Sequence, residues 1–383
     1  MRVLVIDDSA FMRGMIGRIF DAADGLELAG MARNGRVGVE MATALRPDLI
    51  VLDIEMPELD GLGTLRQIRI KCRDHAPAVL MCSSLTGEGT AEALRALRLG
   101  AADVIAKEPA SFGSGDRSFE NGLIARLRAM GAERERAVRS RPVQNAEAPD
   151  RMDGPDAGLF RPDAIVVGSG AGGAPALEDV FALLPRALRV PIIVAQRMPE
   201  PFTASLAARL AQHCACPVFY ADRDARIDGP GVYLGAGGRD LTLERDDAGR
   251  VQLRSGDSAP PDAPRTNALF ESGARVYGAG LLGVQLSADG DDGVLGAAAV
   301  RRAGGRVALQ CPSTCTFAAV PRTVAAAGQV DWVMPTGRLA ALLREVGAEA
   351  TQVFYGGKTP PAERMKLPVI GDVADQRAHR KTA

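Results

Sequence analysis

The sequence predicts two successive α/β domains: a doubly wound, five-stranded parallel sheet at the N-terminus, then a second α/β domain that carries a β-hairpin. Three observations carry this expectation. Short apolar runs alternate with amphipathic stretches of 3.6-residue period through residues 1–125, as repeated βα units do. The same alternation returns over residues 163–346. Between them, residues 126–162 read as a helix end and a linker rich in charge, Pro and small residues, and the tail, 347–383, reads as disordered.

In the first domain, strands are expected in "RVLVIDD", "LELAGMA", "DLIVLDI", "AVLMCSS" and "ADVIAK", with helical patterns such as "FMRGMIGRIF" and "AEALRALRLG" between them. Runs as apolar as "LIVL" suit a sheet covered on both faces. In the second domain, "DAIVVGS", "PIIVAQR", "PVFYA", "GVYLGA", "LTLERD", "VQLRS", "LLGVQLS", "RVALQ" and "VDWVMP" read as strands. "LTLERDDAGRVQLRS" alternates with period two on either side of Asp-Ala-Gly, which predicts a hairpin.

Composition narrows the function classes. The 383 residues are 46% hydrophobic and 24% charged, a soluble globular balance, and the formal net charge of −1 offers no general attraction to nucleic acid. No apolar run approaches the ~20 residues that span a bilayer, so membrane insertion is not expected. The opening "MRVLVIDD" has none of the architecture of a signal peptide, so a cytoplasmic protein with reduced cysteines is expected. Cys214/Cys216 and Cys311/Cys315 form C-x-C and C-x3-C pairs, a conceivable zinc set. Neither spacing is that of a zinc knuckle, and the apolar surroundings favour core thiols.

Carboxylates fall at strand ends in the first domain: Asp7 and Asp8 after the first strand, Asp53 after the third. In a doubly wound sheet the carboxyl ends of the central strands converge on one crevice. Carboxylates gathered there repel one another unless a hard cation such as Mg²⁺ sits among them. Ser83 and Lys107, each at the end of its own strand, add a hydroxyl and an ammonium. These are the parts for moving a phosphoryl group onto a carboxylate. The stretches "VIDDSAFMR", "DIEMPELDG", "MCSSLT" and "IAK" resemble the receiver domain of bacterial response regulators, a flavodoxin-like fold. The resemblance implies Asp53 as phosphoacceptor, fed by a histidine kinase, with Asp7, Asp8 and Asp53 holding Mg²⁺ and Ser83 and Lys107 sensing the phosphoryl group. One departure is "KEP" at 107–109, where the family has Lys directly before Pro.

The second domain opens on "AIVVGSGAGGAPAL", a strand, a tight glycine-rich turn and a helix start. Together with "VPIIVAQRMPEPFTASLAARL", "GPGVYLGAGGRDLTL" and "QCPSTCTFAAVPRTV", it resembles the chemotaxis protein-glutamate methylesterases. That family hydrolyses methyl esters on receptor glutamates with a serine, a histidine and an aspartate. Its serine, in G-A-S-T-G-G, falls on Gly170 of "GSGAGG", and its histidine, in Q-H-M-P, falls on Arg197 of "QRMP". Its aspartate, in G-M-G-x-D-G, is kept as Asp292 of "ADGDDG", but the methionine becomes Asp289. The aspartate of R-P-S-V-D becomes Asn267.

Gly170 offers no nucleophile, and Arg197 stays protonated and cannot act as a base. Ser169 lies one residue early, on the opposite face of the strand. His75, His213 and His379 lie in the first domain, at a helix end and in the tail, and none is expected to substitute. The expectation is therefore a phosphorylation-controlled response regulator of a chemotaxis-type pathway with a catalytically defective effector domain, Asp292 facing Arg197. Its implied partners are a histidine kinase of CheA type and methyl-accepting chemoreceptors. Two alternatives stand beside it. One is an active protein-glutamate methylesterase and glutamine deamidase with rearranged residues. The other is NADP-type nucleotide binding, because Gly168, Gly170 and Gly173 form G-x-G-x-x-G and Arg197 ends the next strand.

Overall fold

A computed structural model describes residues 1–107, 117–139, 160–258 and 266–348. Glu108 and Pro109 of "KEP", residues 140–159 of the expected linker, and the tail from 349 onward, with His379, lie outside the described residues.

The first domain alternates strand and helix without exception: β1 (Arg2–Ile6), α1 (Ala10–Asp21), β2 (Glu27–Ala32), α2 (Gly35–Leu45), β3 (Leu49–Asp53), α3 (Gly61–Lys71), β4 (Ala78–Ser84), α4 (Gly87–Arg98), β5 (Asp103–Lys107) and α5 (Ser118–Arg139). Residue 125 therefore lies inside α5. The sheet order is β2-β1-β3-β4-β5 with every pairing parallel. The chain winds one way from β1 to β2 and the other way from β3 on. That reversal opens a crevice at the carboxyl ends of β1 and β3. Helices α1 to α4 each start on a short polar side chain that accepts a backbone N–H: Ser9, Asn34, Asp60 and Thr86.

The second domain comprises β6 (Ala164–Ser169), α6 (Ala174–Phe181), β7 (Pro191–Gln196), α7 (Glu200–His213), β8 (Val218–Ala221), β9 (Ala225–Arg226), β10 (Gly231–Gly235), β11 (Arg239–Arg245), β12 (Val251–Ser258), α8 (Thr266–Tyr277), β13 (Leu281–Gln285), α9 (Val294–Arg302), β14 (Arg306–Gln310), α10 (Ala319–Ala326), β15 (Trp332–Met334) and α11 (Thr336–Gly347). Seven parallel strands run β15-β14-β13-β6-β7-β10-β8, and β11-β12-β9 form a separate antiparallel sheet. The expected hairpin is β11–β12, its turn closed by Gly249 N–H donating to the Asp246 carbonyl at 2.8 Å. The two-residue β9 is too short to leave a periodic signal. Here too the winding reverses, between β13 and β7 on either side of β6, which brings the loops after β6 and β13 face to face.

The two domains share a seam. Thr90 of α4 and Ser205 of α7 bring their hydroxyls to 2.6 Å, and Arg98 donates to the Pro175 carbonyl at 3.3 Å and pairs with Asp179. Glu133 of α5 pairs with Arg322 of α10 at 3.2 Å. Ala171 and Phe317 of the second domain join the apolar cluster of Phe119, Leu123 and Leu127 on α5.

Candidate functional site

The crevice of the first domain gathers the residues the sequence singled out. Asp7, Asp8 and Asp53 each place a carboxylate oxygen within 4.8 Å of the others. It is the only such group of three or more acidic, cysteine or histidine side chains among the described residues, so the four paired cysteines do not assemble a metal site there. Lys107 Nζ lies 3.0 Å from Asp7 Oδ2 and 2.7 Å from Asp53 Oδ1. Asp7 and Asp53 are buried, while Asp8 is exposed. Burial pushes the Asp53 carboxyl up to about 6; Lys107 opposes this rise and Asp7 adds to it. An all-oxygen donor set with one face open to water suits Mg²⁺, which prefers carboxylates and keeps several waters.

Ser83 sits one residue beyond Cys82, the strand partner of Asp53, and Lys107 pairs with Ser84. The Ser83 hydroxyl is fully buried and donates to the Gly89 carbonyl in the first turn of α4 at 2.8 Å. Two contributors had no sequence signal. Arg13 Nη1 donates to the carbonyls of Asp7 and Asp8 at 2.8 and 2.9 Å, fixing the acidic loop, and Ser84 Oγ donates to Glu55 Oε1 at 2.8 Å on the rim.

The crevice of the second domain is built from the turn after β6 and the loop after β13. Gly170 N–H donates to the Ser287 carbonyl at 2.9 Å, and the Gln196 side chain donates to the Gly170 carbonyl at 2.9 Å. Gly170 is buried against Ala288: a Cβ added to it would lie 2.8 Å from the Ala288 methyl and 3.1 Å from its Cα. Ala288 stands at the first glycine of G-M-G-x-D-G, so the side-chain sizes of the two positions are exchanged relative to that pattern. Ser169 points elsewhere: its buried Oγ would touch a Cβ on Gly173.

Arg197 forms its ion pair with Asp289. Asp292 accepts from the N–H groups of Thr266 and Asn267, both at 2.9 Å, capping α8. Asn267 returns the favour, its Oδ1 accepting from Gly293 and Gly296 at 3.0 and 2.7 Å at the start of α9. The crevice thus holds an Arg197–Asp289 pair and a reciprocal cap between two helices. His213 Nδ1 lies 2.7 Å from the Arg209 carbonyl at the end of α7, a local contact.

The nucleotide fingerprint has a packing explanation at each glycine. A Cβ on Gly168 would strike Thr266, one on Gly170 Ala288, and one on Gly173 Ser169. Gly172, at φ +69°, lies under Thr316 and Ser287. These glycines admit the protein's own atoms, which weakens the case for a pyrophosphate cradle.

Comparison with known proteins accords with this architecture. Residues 165–343 match the family described as CheB methylesterase, and residues 3–111 match the response regulator receiver domain. The chain is 37% identical over 349 residues to protein-glutamate methylesterase/protein-glutamine glutaminase 5 of Myxococcus xanthus, covering 90% of this chain and 97% of that protein. It is 33% identical over 353 residues to the protein-glutamate methylesterase/protein-glutamine glutaminase of Trichodesmium erythraeum, covering 90% and 99%. Among solved structures, the catalytic domain of Thermotoga maritima CheB methylesterase is 29% identical, with a TM-score of 0.44 over 48% of this chain and 100% of that one. No described helix is long and apolar enough to cross a membrane.

Proposed function

We propose, because this chain belongs to the CheB methylesterase family of chemotaxis response regulators, that it is a phosphorylation-controlled regulator whose methylesterase domain no longer hydrolyses esters. The turn at Gly170 carries this reading. Glycine stands at the nucleophile position, packed on Ala288, and an ion-paired arginine stands at the base position. Acyl transfer by this route needs an oxygen nucleophile and an acceptor for its proton. Arg197 accepts no proton, and the Asp289 carboxylate opposes the negative charge of a tetrahedral intermediate.

In the receiver, Asp53 is the phosphoacceptor: its carboxylate oxygen attacks phosphorus as the P–N bond to the kinase's phosphohistidine breaks and the imidazole leaves, and Lys107, already 2.7 Å from Asp53, meets the charge that develops. Asp7, Asp8 and Asp53 would hold Mg²⁺, which would supply charge neutralisation for the transferring group. Ser83 exchanges the Gly89 carbonyl for a phosphoryl oxygen. The next residue, Thr90, meets Ser205 across the seam, so a shift at the start of α4 reaches the second domain. A histidine kinase of CheA type supplies the phosphoryl group. Methyl-accepting chemoreceptors are the surface on which an inactive effector competes with active relatives.

The second reading is a working protein-glutamate methylesterase/glutaminase, favoured by 37% identity over 349 residues to a protein of that name. Methanol release from methylated receptor, with and without a small phosphodonor, separates the two. Release at background in both conditions is expected, and phosphorylation-stimulated release would overturn the proposal. Hydrogen exchange should change on both sides of the seam when phosphodonor is added.

A further inference from the structure

We propose that Arg13 is a positioning residue of the phosphotransfer site, setting the bend that turns two successive carboxylates into one crevice and thereby the affinity of that crevice for a divalent cation. The inference rests on the preceding reading of Asp53 as phosphoacceptor. Successive side chains of an extended strand point to opposite faces, so Asp7 and Asp8 would point apart if β1 simply continued. Their carboxylate oxygens instead lie, with one from Asp53, within 4.8 Å of one another. Strand β1 ends at Ile6 and the chain bends at Asp8, and Arg13 holds that bend. Its Nη1, one nitrogen with two N–H groups, donates to the Asp7 carbonyl at 2.8 Å and to the Asp8 carbonyl at 2.9 Å. The two carbonyls therefore face one point rather than opposite sides.

The two aspartates depend on this hold unequally. Asp7 is fixed from several sides: its N–H donates to the Ala32 carbonyl at 3.2 Å, its Oδ1 accepts from the Ser9 N–H at 2.8 Å, and its Oδ2 lies 3.0 Å from Lys107. Asp8 is exposed, and Arg13 grips it by its carbonyl. Arg13 is itself anchored in the first turn of α1. Its N–H donates to the Ser9 carbonyl at 3.1 Å, and the Ser9 hydroxyl accepts from the Met12 N–H at 3.3 Å. Helix start, guanidinium and acidic bend thus close into one unit, which presents the carboxylates before an ion arrives. A site ordered in advance binds more tightly than one that has to order a loop on binding. The guanidinium charge acts the other way, because a cation beside the crevice repels a second one. Position and charge therefore predict opposite signs when Arg13 is removed.

Titration of the full, unphosphorylated chain with Mn²⁺, counting the free ion by electron paramagnetic resonance and then competing with Mg²⁺, tests the proposal. Arg13→Ala should weaken binding of both ions roughly 10-fold, although it removes a repelling charge. Arg13→Lys, which keeps the charge on a stem one atom shorter, should weaken binding less. Arg33→Gln removes an exposed charge just past β2, at the same edge of the sheet, without touching the bend. It should leave affinity unchanged or slightly raised. In labelling by a small phosphodonor, the Mg²⁺ concentration for half-maximal rate should rise in Arg13→Ala by the factor seen in the titration. Wild-type or tighter binding by Arg13→Ala, or lower stability in chelator with affinity intact, would reduce Arg13 to a helix-start contact and overturn the proposal. A wild type that binds no Mn²⁺ would overturn it as well. The phosphoacceptor reading fails separately, on labelling of Asp53→Asn at the wild-type level, a result that the ion titration does not use.

Discussion

The receiver crevice and the Gly170 crevice are built alike, each at the carboxyl edge of a parallel sheet where the winding reverses, yet their polar groups are treated in opposite ways. In the receiver, three carboxylates gather, and the two buried ones, Asp7 and Asp53, both pair with one lysine. Burial, with Asp7 adding to it against Lys107, raises the Asp53 pKa, and the remaining negative charge is left for a cation to balance. In the second domain, charge and volume are settled internally. Arg197 pairs with Asp289, Asp292 and Asn267 cap each other's helices, and the Ala288 methyl fills the space above Gly170. The first crevice holds electrostatic tension, whereas the charges of the second are paired within it. The helix starts show a related contrast. The first four receiver helices begin on capping side chains of their own N-cap residues, whereas α6 and α7 begin without one, and α8 and α9 are capped from across the crevice by Asp292 and Asn267.

The comparison breaks most severely if the receiver is not the reactive half. Asp53→Asn should abolish labelling by a phosphorylated histidine kinase or small phosphodonor with Mg²⁺, a loss of roughly 100-fold or more. Labelling at the wild-type level would place the acceptor elsewhere.

The next largest effect concerns the filled turn. Gly170→Ser alone should destabilise by about 1–3 kcal/mol, because its Cβ overlaps Ala288. Adding Ala288→Gly should recover most of that loss in thermal unfolding. If the single variant unfolds like the wild type, the turn is not closed by Ala288 and the exchange of sizes has no consequence.

The reciprocal cap should be worth somewhat less. Asn267→Ala should cost about 1–2 kcal/mol, since two N–H groups at the start of α9 lose their acceptor. Asp292→Ala should cost a similar amount at α8. A pair of near-neutral variants in chemical denaturation would return Asp292 to the status of an idle remnant.

The smallest effect reports the tension in the receiver. Asp53 titrates at about 6 in the folded chain against 3.8 for an ordinary aspartate, so the folded state holds its proton more tightly than the unfolded state. Stability is thus highest below the unfolded value and is lost as pH rises through the folded one. In chelator, Asp53→Asn should stabilise the chain at pH above 7 by about 1–2 kcal/mol, after allowing for the partner Lys107 loses, and by almost nothing near pH 4. A stability gain that does not vary with pH would show that the carboxylate carries no such cost.

Much of this protein was settled by its sequence alone. Apolar runs such as "LIVL" and the intervening amphipathic stretches determined which segments became strands and helices, because period and burial act over a few neighbouring residues. Position at a strand end then sufficed to bring Asp7, Asp8, Asp53, Ser83 and Lys107 to one edge of one sheet, since strand ends converge whatever the details of packing. That glycine stands at 170 and arginine at 197, the positions that align with the family's serine and histidine, needed only the identity of two side chains. Which aspartate would take Arg197, and what would fill the space above Gly170, were decided in three dimensions. Ala288 and Asp289 reach the turn on a loop more than a hundred residues along the chain. Such pairings follow from how β6 and β13 lie side by side. Local periodicity has no means of expressing that, because the contacts join segments whose separation in sequence is unrelated to their separation in space.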